Sequence, residues 1–104
     1  MSTTSLQTKV SPTTAVEHPI KCWPPFFSAI AAGKKKHDLR RADDRKFQVG
    51  DILLLREFDP ERGVYTGRRQ RVLITYITST ESPCAFSSEA LDDAFCILSI
   101  EPIV

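Results

Sequence analysis

The sequence predicts an α+β protein, a small, strongly bent sheet or partial barrel of about five to six strands with one or two short helices. Three observations predict it. Several runs rich in Val, Ile, Leu, Thr and Tyr are separated by Gly, Pro, Asp and Ser clusters, the pattern of strands and turns. Only one stretch carries apolar residues at helical spacing. The 104 residues allow one small domain, and a sheet of that size has to curl to enclose a core.

The elements follow in order. Residues 1–17 are Ser/Thr-rich, with scattered apolar residues and no period of 2 or 3.6, so they read as a disordered tail ahead of a domain over 18–104. His18 to Trp23 reads as a first strand. Pro24-Pro25 ends it and suits a helix start, because proline lacks only an N–H that would be unpaired there anyway. Phe26, Phe27, Ile30 and Ala31 recur at helical spacing, and Gly33 closes the helix as a C-cap. Lys35 to Arg41 reads as a second strand, with His37 and Leu39 expected on the apolar, core-facing side and Lys36, Asp38 and Arg40 on the other.

A polar loop, 42–46, leads to Phe47-Gln48-Val49-Gly50-Asp51, a tight turn whose glycine suggests a positive φ. Ile52 to Phe58 is a strong strand. Asp59-Pro60-Glu61-Arg62-Gly63 is a hairpin loop, and Arg68 to Thr78 is a long return strand that Val64 to Gly67 extend. Residues 79–93 form a polar loop with a helical turn around Ser88 to Asp92, and Ala94 to Glu101 is the last strand.

Composition narrows the function. No apolar run approaches the roughly 20 residues that span a bilayer, and the first residues lack the n- and h-regions of a signal peptide. Cys22, Cys84 and Cys96 are odd in number and irregularly spaced, which argues against a disulfide scaffold or a zinc site. A cytoplasmic location with reduced thiols is expected, with Cys22 and Cys96 as small core residues. The net charge of +1 hides a pattern. Residues 34–47 and 62–80 are basic, whereas 48–61 and 81–104 are acidic, so two basic segments are available to form one positive surface. There is no phosphate loop, no dinucleotide fingerprint and no metalloprotease or serine-hydrolase motif.

The richest segment is Gly33 to Arg40. Asp38 and Arg40 share one strand face, and an i,i+2 carboxylate–guanidinium pair fixes the guanidinium fork. With Lys35 nearby, such an arginine suits a phosphate or a nucleobase edge; the plain alternative is a surface ion pair. His18 either caps the sheet by hydrogen bonding or faces a ligand. Trp23 is expected to pack at the strand–helix junction.

Four ordered segments also carry a resemblance. They are His18-x-x-Lys21-x-x-Pro24-x-x-Phe27, Gly33-x-Lys35-x-x-Asp38-x-Arg40, Asp44-Arg45-x-Phe47-x-Val49-Gly50-Asp51-x-Leu53-x-Leu55-x-Glu57 and Tyr65-Thr66-Gly67-Arg68. Together they resemble the DUF3850 family, of the ASCH group in the PUA-like superfamily, from His18 to about Ile100. The resemblance implies a PUA-like (ASCH) pseudo-barrel with a helix beside a cleft, the cleft being associated with Gly33, Lys35, Asp38 and Arg40. It implies an RNA- or modified-nucleotide-binding module without a cofactor. In that module Lys21, Lys35, Arg40 and Arg45 contact phosphate or base, Asp38 orients Arg40, and Tyr65 or Trp23 stacks a base.

Two departures stand out: Asp38 replaces the family's usual Glu, and His37 replaces a usual aromatic residue. Some ASCH proteins resemble amidohydrolases of N4-acylated cytidines that use a Lys, a Thr and a Glu. Lys35 matches the Lys, and Glu57 or Glu101 is available as the carboxylate, but Asp38 stands at the Thr position, so a binding module leads and a small amidohydrolase is the rival. The third reading is a phage-type protein-interaction or inhibitor domain with a protein partner.

Overall fold

The computed structural model describes residues 15–103. Five strands form one sheet: β1 (Glu17–Cys22), β2 (His37–Arg41), β3 (Ile52–Asp59), β4 (Val64–Thr78) and β5 (Phe95–Pro102). Their order in the sheet is β1-β3-β4-β5-β2. Helix α1 (Pro24–Ala31) joins β1 to β2, and the single turn α2 (Ser87–Ala90) lies in the loop before β5. The result is the curled α+β half-barrel that the sequence predicts. Most of the tail expected over 1–17 lies outside the described residues. Its last residues are structured: Glu17 opens β1, and the Val16 N–H donates to Asp51 Oδ1 at 3.1 Å.

Alternation along the strands builds the interior. Ile20 and Cys22 on β1, Leu53 and Leu55 on β3, Val72 and Ile74 on β4, and Cys96, Leu98 and Ile100 on β5 all face inward, where Phe27 and Ile30 of α1 join them. Both cysteines expected in the core are there. The helix starts on Pro24-Pro25 and ends just before Gly33, whose φ is 76°, as its sequence signals require.

Two pairings join strands far apart in sequence: β2 runs antiparallel to β5, and β1 runs parallel to β3, with Glu17 opposite Ile52 and Cys22 opposite Glu57. Asp51, in the turn that enters β3, holds the β1–β3 pairing at its base. Its carboxylate accepts the Val16 and Gln48 N–H groups and sits 2.9 Å from His18 Nε2, all at a buried position. His18 therefore takes the sheet-capping role, with its ring against Phe47 at 4.9 Å. Gly50 has φ 97°, so the turn is one that only glycine enters easily.

Two expectations are corrected. On β2 the faces are reversed: Asp38 is 7% exposed and points inward, Arg40 shares its side, and His37 and Leu39 face out, Leu39 with 55% of its surface exposed. The inner face of this edge strand meets polar groups at the seam, so a self-neutralising Asp–Arg pair suits it better than a leucine. Trp23 is not a core residue. It is 51% exposed and stacks on the equally exposed Phe26 at 6.4 Å between ring centroids.

Candidate functional site at the barrel seam

The edges of the curled sheet, β1 and β2, meet through Arg40. Its Nε donates to Asp38 Oδ2 at 2.6 Å, and its Nη2 crosses to the Lys21 carbonyl of β1 at 3.1 Å. The i,i+2 pair foreseen in the sequence therefore forms, and it bridges the seam. The guanidinium is fixed on two sides, with donor capacity left over.

A second carboxylate lies beside this pair. Glu57 continues the inward alternation of Leu53 and Leu55 and is only 4% exposed. It sits where the β3–β4 ladder shifts register. Arg56 pairs with Arg69 and Phe58 with Tyr65, so Glu57 alone faces the segment Thr66-Gly67-Arg68. That bulge aims two side chains at one carboxylate. Thr66 Oγ1 donates to Oε1 at 2.7 Å, and Arg68 Nη1 to Oε2 at 3.4 Å. Gly67 holds the bulge at φ 96°. The Arg68 guanidinium also lies over the Phe27 ring, 4.9 Å from its centroid.

Cys22 links the two charged groups. It is opposite Glu57 in register and one residue from the carbonyl that Arg40 reaches. Burial pushes its thiol up to about 11, and the charge of Asp38 adds to the rise; Arg40 and Lys35 oppose it, and Glu57 contributes in the raising direction. Lys35 completes the cluster from the turn after α1, its Nζ 3.3 Å from His37 Nε2. The seam thus gathers Lys35, Arg40 and Arg68 against Asp38 and Glu57, a fixed array with one excess positive charge.

Of the residues singled out in the sequence, Lys35, Asp38 and Arg40 belong to this array. Lys21 contributes its carbonyl, while its ammonium turns to the outer face and lies 4.1 Å above the Phe58 ring. Tyr65 is also on the outer face, under the Arg56 guanidinium at 4.0 Å. Arg45 is elsewhere, lining a groove of about 970 Å³ with Phe47, Tyr76 and Cys96. The walls of that groove are mostly loop residues, with Tyr76, Ile77 and Cys96 from strands, and Arg45 and Lys46 stand against Asp43, Glu81 and Asp93, so its excess charge is negative where that of the seam is positive. Thr66 and Arg68 were quoted only as motif residues, and Glu57 only as one of two carboxylates, with Glu101, open to an amidohydrolase. The signal for Glu57 was present, since Leu53, Leu55 and Glu57 share one strand parity; the bulge that brings Thr66 and Arg68 to it has no sequence mark beyond Gly67.

Fold and site together define a small α+β half-barrel domain with a charged seam. The chain belongs to the DUF3850 family, described as a domain of unknown function, whose profile matches residues 17–100. It is similar to an uncharacterized 12.9 kDa protein encoded in the GpA 3′ region of Escherichia phage P2, with 36% identity over 61 residues. That alignment takes in 59% of this chain and spans about half, 53%, of the phage protein. The fold is similar to the crystal structure of hypothetical protein PH0355, with a TM-score of 0.55 at 18% identity, over 85% of this chain and all of the other.

Proposed function

We propose that the domain binds RNA or a modified nucleotide, taking one nucleotide unit at the seam. The observation that carries this reading is the pair of buried carboxylates, Asp38 and Glu57, each tied to an arginine and each acting on the thiol of Cys22. A carboxylate behind a guanidinium fixes the fork and leaves its remaining N–H groups for an incoming acceptor, a phosphate oxygen or a base carbonyl. Lys35 adds a third cation suited to phosphate. Trp23, which follows Cys22, and Phe26, in the first turn of α1, offer exposed rings for stacking. The resemblance to ASCH domains supports the same ligand class.

Calorimetry with cytidine 5′-monophosphate and N4-acetylcytidine tests this. Arg68→Ala, at a largely exposed side chain, should weaken binding by about 1–2 kcal/mol, the range for a charge-assisted hydrogen bond, with little loss of stability. Equal affinity in the variant and the natural protein would contradict the reading.

The contact between Thr66 Oγ1 and Glu57 Oε1 favours a second reading, hydrolysis. A hydroxyl donating to a buried carboxylate is a nucleophile beside a general base, and it supplies the hydroxyl that is missing at Asp38. Release of cytidine and acetate from N4-acetylcytidine, abolished by Thr66→Val with ligand binding retained, would establish this reading over simple binding.

A further inference from the structure

The outer face of the sheet carries a second cationic array that the seam does not use. Lys21 pairs with Arg56 across β1 and β3, and Arg56 pairs with Arg69 across β3 and β4. Paired residues project to the same side of a sheet, and neighbouring strands lie about 4.8 Å apart, so three cations stand in one lateral row. Like charges placed directly opposite each other destabilise a sheet. Among the described residues no carboxylate forms an ion pair with this row. Glu57 faces inward to Arg68, Glu17 is bound by Arg71, and the Asp59 carboxylate accepts the Glu61 and Arg62 N–H groups.

Two rings are built into the row. The Lys21 ammonium lies over Phe58, and the Arg56 guanidinium lies over Tyr65, which is 43% exposed. Phe58 and Tyr65 meet edge-on at 5.1 Å. An acidic peptide would answer the charge but leave the rings unused. A single nucleic-acid strand answers both, because its phosphates neutralise the row while its bases stack on aromatic or guanidinium faces without regard to sequence.

We propose that the outer face of β1, β3 and β4 is a sequence-tolerant track for single-stranded RNA, centred on Lys21, Arg56, Arg69, Phe58 and Tyr65 and separate from the seam. The track stands whether or not the seam binds a nucleotide.

The test is fluorescence anisotropy of a labelled 12-nucleotide oligouridine over a salt series, with the full chain. The natural protein binds at low salt, and log affinity falls linearly with log salt. Arg56→Gln/Arg69→Gln lowers affinity at least tenfold and makes the slope shallower by about 1.4, since each phosphate neutralised on a single strand contributes roughly 0.7. Arg56→Lys/Arg69→Lys keeps the slope. The Gln variant melts no lower than the natural protein because the like-charge pair is gone, and it binds cytidine monophosphate as the natural protein does. Three results would overturn the track: no oligouridine binding at low salt, an unchanged slope in the Gln variant, or Arg56- and Arg69-dependent binding to phosphatidylserine vesicles in place of RNA.

Discussion

Cys22 shows how one buried side chain reports on its surroundings. Its thiol is held near 11 against an ordinary value of 9.0, mainly because burial disfavours the thiolate. Between those two values an unfolded chain has lost the proton while the folded chain keeps it. The folded state then binds more protons, so stability falls as pH rises through that window, by up to roughly 1.4 kcal/mol per pH unit. Lysines and tyrosines titrate in the same range, so the informative quantity is the difference from Cys22→Ala. Urea unfolding at pH 8.5, 9.5 and 10.5 should show a steeper decline in the natural protein than in the variant; parallel declines would mean the thiol is not shielded. The core placement of Cys22 was legible from its apolar strand, and the Asp38–Arg40 pair from spacing. The inward carboxylate at Glu57 was legible only to a reader who extended the parity of Leu53 and Leu55 onto a charged residue.

At the scale of elements, the glycine and proline punctuation was the most informative part of the sequence. Pro24-Pro25 and Gly33 bound α1, and Gly50 marks the turn that launches β3. With φ at 97°, a β-branched side chain at Gly50 is strained, and the turn also bears the Gly50 N–H to Ile74 carbonyl bond at 2.9 Å. Gly50→Val should therefore destabilise by about 1–3 kcal/mol, read as a lower urea midpoint with unchanged slope; a midpoint within error of the natural protein would remove the strain argument. Strand β2 was misread because hydrophobicity alone set its faces. It is an edge strand at a seam, where the inner side carries Arg40, which reaches the Lys21 carbonyl. The one apolar residue in the middle of β2, Leu39, was cheaper to expose than the Asp38–Arg40 pair was to split, since an unpaired buried charge costs several kcal/mol. Trp23 escaped for a related reason. The chain turns from strand to helix at Pro24, and that turn directs the indole outward onto Phe26.

For the molecule as a whole, the strand count and hairpin neighbours followed from local signals, but closure did not. Nothing in the sequence announces that β1 lies parallel to β3, or that β2 returns beside β5 and reaches β1 through one guanidinium. Those are long-range pairings, and they bring dispersed motif residues together: Arg40 of β2 reaches the Lys21 carbonyl of β1, and Cys22 of β1 lies opposite Glu57 of β3. We propose that this closure creates the nucleotide site. Chemical-shift mapping with a 15N-labelled chain and cytidine 5′-monophosphate tests it most directly. The amides of Lys35, Asp38, Arg40, Glu57, Thr66 and Arg68 should shift together along one saturating curve. Shifts confined to the Arg45–Phe47–Tyr76 groove, or none at saturating nucleotide, would contradict it.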